Sequence, residues 1–467
     1  MTTDTDQDLP QPEQDSGRED DAYVLDRKAV AAILYAVDVD DRAQLSKLMA
    51  PLHAADIADL LEQINPFDRA RLVRLYEGEF DGELLSELDD AVRTEVMSVL
   101  QPQTLAEAVR ELDSDDVVDL VEDLDEPQQE AILDALPDAD RMAVEQSLSY
   151  PEFSAGRLMQ REVVMAPEHW NVGDAIDFLR ASEDLPQQFY HLILVDPRLR
   201  PVGNVTLGKI MRSKREVQLA DITEEVFQTI PVTQYEGDVA YAFNQYHLIS
   251  APVVDEDGRL VGVITIDDAM VVLDEEHEED MLRLAGVSES SLSDRVLDTS
   301  KSRLPWLCVN LGAAILSSVV ISQFDAAIAA LVALAILMPI VASMGGNAAT
   351  QTLTVAVRAL ATKDLTRANV WRVIRREVAV GLLNGLAFAV IMGGLVTAWF
   401  GLPLLGLVIA AALVLNMVIA GLAGTVVPVV LDRMGVDPAL ASGTFVTTTT
   451  DMMGFFSFLG FASLVLL

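Results

Sequence analysis

The sequence predicts a multidomain membrane protein: an all-α N-terminal domain, an α/β tandem pair, an acidic connecting helix and a five-span α-helical transmembrane domain. Three observations carry that reading. Charge splits the 467 residues in two, because the first 300 hold 67 acidic and 23 basic side chains while the last 167 hold six and nine, within a net charge of −41. Long apolar runs are confined to those last 167 residues, and they are long enough to cross a hydrocarbon core of about 30 Å. Two stretches of the acidic part also echo each other, the mark of a duplicated unit.

Residues 1–22, rich in Asp, Gln, Pro and Thr and nearly devoid of apolar side chains, read as a disordered acidic tail. Residues 23–150 read as a helical N-domain, since apolar side chains recur at helical spacing in Ile57, Leu60, Leu61 and Ile64 and again in Val117, Leu120, Val121 and Leu124. Short amphipathic helices opened by Asp or Ser and broken by Pro point to a helical stack. Over 151–273 short β-branched runs alternate with helices. Here Gly173 and Asp174 are echoed by Gly237 and Asp238, and the run VGNVT at 202–206 by VGVIT at 261–265. Residues 274–300 form the acidic connecting segment. Asp274, Glu275, Glu276, Glu278, Glu279 and Asp280 crowd onto less than two turns, where like charges repel and bound cations would remove the repulsion.

The transmembrane domain is expected over 301–467, with apolar segments near 304–323, 327–355, 373–400, 404–431 and 440–466. Pro339 and the pair Gly345-Gly346 predict a kink or tilt in the second. Lys301 and Arg303 precede the first span. Arg358, Lys363, Arg367, Arg372, Arg375 and Arg376 follow the second and Arg433 the fourth, while the loops after the first and third carry no basic residue. The positive-inside rule then puts the N-terminal domains in the cytosol and the C-terminus outside a cell (inner) membrane.

Several function classes are excluded at this stage. The acidic field repels nucleic acid and attracts cations. A single cysteine, Cys308, permits no intramolecular disulfide, and His53, His169, His191, His247 and His277 show no zinc spacing. No basic-then-apolar leader opens the chain. Neither a nucleotide-hydrolysing GxxxxGK[ST] string nor a nucleophile–base arrangement is visible, so no enzyme is expected.

Asp451 is the residue that stands out. It lies well inside the last apolar segment, where a carboxylate costs roughly 2.5–3.5 kcal/mol and marks a functional site by default. Thr447 and Thr448 precede it by one helical turn and share its face. Asn347 and Gln351, four apart, share a face of the second span, as do Thr350 and Thr354, and Asn416 lies in the fourth. Asn347, Gln351, Asn416, Thr447 and Thr448 are the candidate pore-lining residues.

The repeat, with PVVD at 252–255 and GRLVG at 258–262, resembles a tandem pair of cystathionine-β-synthase (CBS) domains. The strings PIVASMGGNAATQTLTVAVRALAT (339–362) and GVDPALASGTFVTTTTDMMGFF (435–456) resemble the most characteristic ones of the MgtE family of magnesium transporters, and the domain order matches over nearly the whole chain. That resemblance implies a homodimeric, Mg2+-selective channel with its pore on the two-fold axis and Asp451 as its carboxylate. The segment 274–300 would be its plug helix. It also implies gating by cytosolic Mg2+, with sensing acids at Asp115, Asp119, Asp268, Glu276, Glu279 and Asp437. Relatives carry acids where this chain has Val271, Tyr235, Gly237 and His247, so weaker or less cooperative sensing is expected. Mg2+ is the expected transported and regulatory ion, membrane lipid and a second copy are the expected partners, and ATP is a candidate ligand of the CBS pair. Two other readings stay open: a transporter or exporter of Co2+, Mn2+ or Ca2+, and a membrane-anchored CBS nucleotide sensor.

Overall fold

The computed structural model describes residues 25–466 apart from 111, 123, 125, 183, 184, 187 and 288–295. The expected tail at 1–22 and the middle of the connecting segment therefore lie outside the described residues. The chain divides into two compact units, 1–236 with 249–265 and 237–248 with 266–467.

In the first unit the N-terminal helices are α1 (Arg27–Asp38), α2 (Arg42–Met49), α3 (Ala54–Gln63), α4 (Pro66–Tyr76), α5 (Glu83–Ser86), α6 (Asp90–Val99), α7 (Pro102–Arg110), α8 (Ser114–Glu122), α9 (Glu126–Leu133) and α10 (Asp138–Leu148). Local chemistry sets their starts. Asp41 accepts from the Gln44 N–H at 3.0 Å, and Asn65 accepts from the N–H groups of Phe67 and Asp68 with Pro66 in the first turn, so orphan donors at the helix ends find partners. The periodic residues Ile57, Leu60, Leu61, Val117, Leu120 and Val121 all enter one apolar core.

Two hairpin-based sheets follow. The first joins β1 (Met165–Pro167), β2 (His191–Val195) and β3 (Pro201–Thr206), flanked in sequence by α11 (Ala155–Leu158), α12 (Val172–Ala181) and α13 (Leu207–Arg212); the second joins β4 (Ile230–Pro231), β5 (Ser250–Val254) and β6 (Leu260–Thr265). Each pairs its first two strands parallel and its last two antiparallel, with an irregularity at the matching place, Leu194/Val195 and Val253/Val254. The turns repeat as well. Asp196 accepts from the N–H groups of Arg198 and Arg200, and Asp255 does the same for Asp257 and Arg259. The duplication in the sequence is thus a duplication of backbone hydrogen bonding, and it extends to a left-handed residue in each turn, Leu199 in one and Gly258 in the other.

The second unit holds α14 (Glu236–Tyr246), α15 (Ile266–Leu284), α16 (Val296–Ser322), α17 (Asp325–Ala330), α18 (Ala333–Ala361), α19 (Val370–Phe400), α20 (Pro403–Arg433) and α21 (Pro438–Val465). Four helices of the described residues, Thr299–Ser322, Ala333–Ala361, Val370–Phe400 and Pro403–Arg433, are long and apolar enough to cross a membrane. The fifth expected span, α21, is 28 residues long and does not join them, because its threonines and Asp451 lower its mean hydropathy. The second apolar segment, expected from 327, is split: Leu331 leaves the helical region after α17, and α18 starts anew at Ala333 with Pro339 inside it. The most buried of the four spans is α20, and it packs against α18, α19 and α21. Glycines make the approach close. A Cβ on Gly381 would meet the Met417 carbonyl, and one on Gly421 the Glu377 carbonyl, the small-residue packing that stands in for a hydrophobic driving force in lipid.

Candidate ion pathway and regulatory acids

Asp451 sits at the middle of α21, half-buried, and has neither an ion-pair nor a hydrogen-bond partner among the described residues. Its threonine neighbours do not satisfy it. The Thr447 hydroxyl donates to the Gly443 carbonyl at 2.9 Å, Thr448 to Thr444 at 2.6 Å and Thr450 to Val446 at 3.2 Å. Hydroxyls whose protons are held by the helix's own backbone present lone pairs outward, and lone pairs accept from the water of a hydrated cation.

The other candidates divide. Asn347 and Gln351 are exposed on α18, with Thr350 and Thr354, in an i, i+3, i+4, i+7 stripe. Such a face does not belong against lipid, where polar groups turn to a protein neighbour or a water-filled path. Asn416 is placed differently from a lining residue. It is fully buried, its Nδ2 donates to the Val341 carbonyl at 2.9 Å, and its amide fills notches left by Gly345 of α18 and Gly454 of α21. In the single chain it is a strut between three helices. A second carboxylate inside the bundle, Glu377 on α19, follows a run of arginines that masks it in the sequence; it is half-buried and accepts from the Thr352 hydroxyl at 3.3 Å.

Acids also gather at the start of α21. Asp437 caps that helix by accepting from the Ala439 N–H at 2.7 Å, and it pairs with Arg283 of α15 at 2.7 Å. Arg283 also pairs with Glu279, one turn back on its own helix. Burial, then the charges of Asp437 and Glu276, push Asp280 above the ordinary carboxylate range, against an opposing pull from His277. Glu279 and Asp437 therefore share the Arg283 guanidinium, while Asp280 lies within the field of Asp437 and Glu276. Among the described residues no three acids, histidines or cysteines stand ready to hold a metal. Asp268 lies two turns earlier on α15, and Val271 is exposed beside it. His247 takes a left-handed backbone at the end of α14. From α14, Asp238 pairs with Lys363 of the α18–α19 loop, whose ammonium also lies 4.5 Å from the Tyr241 ring centroid.

In the first unit Asp115 is buried at the start of α8 and Asp119 pairs with Arg93 at 2.8 Å. Tyr235 is exposed just before α14. Between the two sheets His191 Nδ1 lies 2.6 Å from the Ser250 hydroxyl, and burial, outweighing the pull of Glu224, lowers the His191 pKa. The cavity they line is about 20 Å3 and has no Lys or Arg in its wall. It has room for roughly one water.

Comparison with known proteins places these features in context. A family model described as a divalent cation transporter matches residues 338–461, one described as the MgtE intracellular N domain matches 52–153, and the CBS domain model matches 155–216 and 219–275. The magnesium transporter MgtE of Thermus thermophilus is 32% identical over 431 residues, 88% of this chain and 95% of the relative. That of Enterococcus faecalis is 33% identical, over 69% of this chain and 71% of the relative. Among solved structures, the cytosolic domain of the Mg2+ channel MgtE in complex with ATP is 27% identical and covers 52% of this chain and 99% of its own length, with a TM-score of 0.48.

Proposed function

The chain belongs to the MgtE family of magnesium transporters, and on that premise we propose that it works as a homodimeric, Mg2+-selective channel whose ion path is set by Asp451. A membrane protein with a cytosolic N-terminal domain, it is a transporter and not an enzyme. The observation that carries the proposal is a half-buried carboxylate without a partner among the described residues, inside an apolar bundle, one turn after Thr447 and Thr448, which have spent their protons on their own backbone. Mg2+ sheds water reluctantly and is usually held through its hydration shell by one or two carboxylates. One chain supplies one Asp451, and two copies supply the pair. Two facing carboxylates offset the ion's charge on entry, while a hydrated contact stays weak enough to release it. The exposed polar stripe of Asn347, Thr350, Gln351 and Thr354 supports a second copy, because it needs cover in a membrane.

Gating follows from the junction of α15 and α21. There Glu276, Glu279, Asp280 and Asp437 are oxygen donors of the kind a hard cation takes, and Glu279 and Asp437 are already partly neutralised by Arg283. In the proposal cytosolic Mg2+ completes that neutralisation and holds α15 against the start of the Asp451 helix, closing the path when the ion is plentiful. Asp115, Asp119 and Asp268 are the further acids of this reading. Since Asp119 already pairs with Arg93, its share is the smaller. ATP is only a candidate ligand of the CBS pair, and at about 20 Å3 the cavity at His191 and Ser250 does not admit it.

The test is Mg2+ flux into liposomes, with internal Mg2+ varied, for the intact chain and for Asp451→Ala. Flux in the former that is lost in the latter, and that falls as internal Mg2+ rises, is the expected result. Unchanged, equally selective flux through Asp451→Ala would move the site to the α18 stripe or Glu377. Flux of Co2+, Mn2+ or Ca2+ in preference to Mg2+ would overturn the selectivity.

A further inference from the structure

A cavity of about 200 Å3 opens where α18 ends, the α18–α19 loop turns and α20 ends; Leu365, Arg367, Val370, Val429, Asp432 and Arg433 are among the residues that line it. Its floor is apolar, with Leu365 and Val429 buried, and its rim is charged, with Arg367, Asp432 and Arg433 exposed. Neither arginine makes an ion pair among the described residues. The loop that presents Arg367 is braced from within. The Leu365 N–H donates to the Ala359 carbonyl at 2.7 Å, the Thr366 N–H to Asn369 Oδ1 at 2.8 Å and Asn369 Nδ2 to the Asp364 carbonyl at 2.7 Å. The cavity is therefore built by the backbone rather than gathered around a ligand.

Its depth in the membrane can be read from α19. Trp371 and Trp399 are both exposed near the two ends of that helix, and at 1.5 Å per residue they stand about 42 Å apart. That matches a bilayer with its headgroup layers, of about 40–45 Å, and tryptophan favours those layers. Val370, in the cavity wall, adjoins Trp371, so the cavity lies at headgroup level, on the face where Arg358, Lys363, Arg372, Arg375 and Arg376 also cluster.

We propose that this cavity is a binding site for the phosphate of an anionic membrane lipid, with Arg367 and Arg433 as its donors and the apolar floor under the glycerol backbone. Guanidinium groups suit a phosphodiester because they present paired donors and keep their charge. The N-terminus of α19 adds partial positive charge, and Asp432 and the C-terminal ends of α18 and α20 oppose it. With one carboxylate against two guanidiniums, the site suits a phosphodiester of single charge, as in phosphatidylglycerol, and is poor for a zwitterionic headgroup whose ammonium would meet both arginines. Soluble phosphate shares the chemistry but gains nothing from the floor, so the lipid is the occupant proposed. The site stands apart from Asp451 and requires only that these helices cross a membrane.

Native mass spectrometry of the full chain, from micelles doped with equal amounts of phosphatidylglycerol and phosphatidylcholine, tests this. The variants are Arg367→Gln with Arg433→Gln, and the charge-matched control Lys301→Gln with Arg303→Gln at the start of α16. The intact chain and the control should retain phosphatidylglycerol in several-fold excess, and the cavity variant should retain neither lipid preferentially. Thermal unfolding provides a second reading: phosphatidylglycerol should raise the midpoint of the intact chain and leave that of the cavity variant unmoved. Equal loss of retention in the control would reduce the effect to general surface charge and overturn the site. Displacement of the lipid by millimolar inorganic phosphate would show an anion site without lipid preference and overturn the assignment. If the double variant does not fold, Arg433→Gln alone carries the same comparison. Because the readout is binding, failure here leaves the flux experiment on Asp451 untouched, and the reverse holds too.

Discussion

Asp451 and Asp280 are two acids placed where charge is expensive, and their surroundings give them opposite uses. Asp451 has no neighbouring charge to answer it, whereas Asp280 sits among other acids. Its raised pKa means that the folded protein holds the proton more tightly than the unfolded chain does. The stability it contributes is fully present below the unfolded value, about 4, and is lost as pH rises through the folded value. In buffer free of divalent cations, the unfolding midpoint should therefore fall as pH rises from about 4 toward neutrality. Asp280→Asn should remove part of that slope, and Mg2+ at neutral pH should recover part of the lost stability in the intact chain. Identical slopes for the two proteins would show that Asp280 does not titrate against its neighbours. Asp437 carries two tasks at once, cap and partner of Arg283. Asp437→Ala should cost about 1 kcal/mol through the cap and also weaken Mg2+ inhibition of flux; Asp437→Ser, which keeps a capping oxygen, should restore stability without restoring inhibition.

At the scale of elements, α20 is the centre of the membrane unit and Asn416 fixes its position against α18 and α21. An amide wedged between Gly345 and Gly454 leaves no room for a methyl group, since a Cβ on Gly345 would stand 2.1 Å from its Nδ2 and one on Gly454 2.8 Å. Gly454→Ala should destabilise by about 1–3 kcal/mol, and because Gly454 is one turn beyond Asp451 it should also lower flux. Pairing it with Asn416→Ala should recover most of the stability if the amide is the obstacle. Unfolding in detergent measures the first effect and liposome flux the second. A double variant no more stable than Gly454→Ala would place the strain elsewhere.

A channel formed by two copies, as proposed, would pair them through the α18 stripe. In a Cys308→Ser background, Gln351→Cys should form a disulfide-linked dimer under mild oxidation, whereas Val390→Cys, exposed on α19, should not. Crosslinking at 390 and none at 351 would mean that the stripe faces something other than a second copy.

Most of the architecture is legible in the residues because its signals are periodic and local: helical spacing in the N-domain, a repeat that returns as repeated strand register and repeated Asp turns, and apolar length in four membrane helices. Asp451 is legible there too, since a charge inside an apolar run needs no neighbour to be conspicuous. What each polar residue touches depends instead on how the helices pack. Asn416 and Asn347 look alike in the sequence, yet one is a buried strut and the other an exposed face, a difference fixed by which side of each helix meets its neighbours. Glu377 was hidden by the arginines before it and emerges only where α19 meets Thr352. The meeting of Asp437 with Arg283 and the acids of α15 likewise needed the fold, because about 150 residues separate Arg283 from Asp437 and no local pattern brings them together.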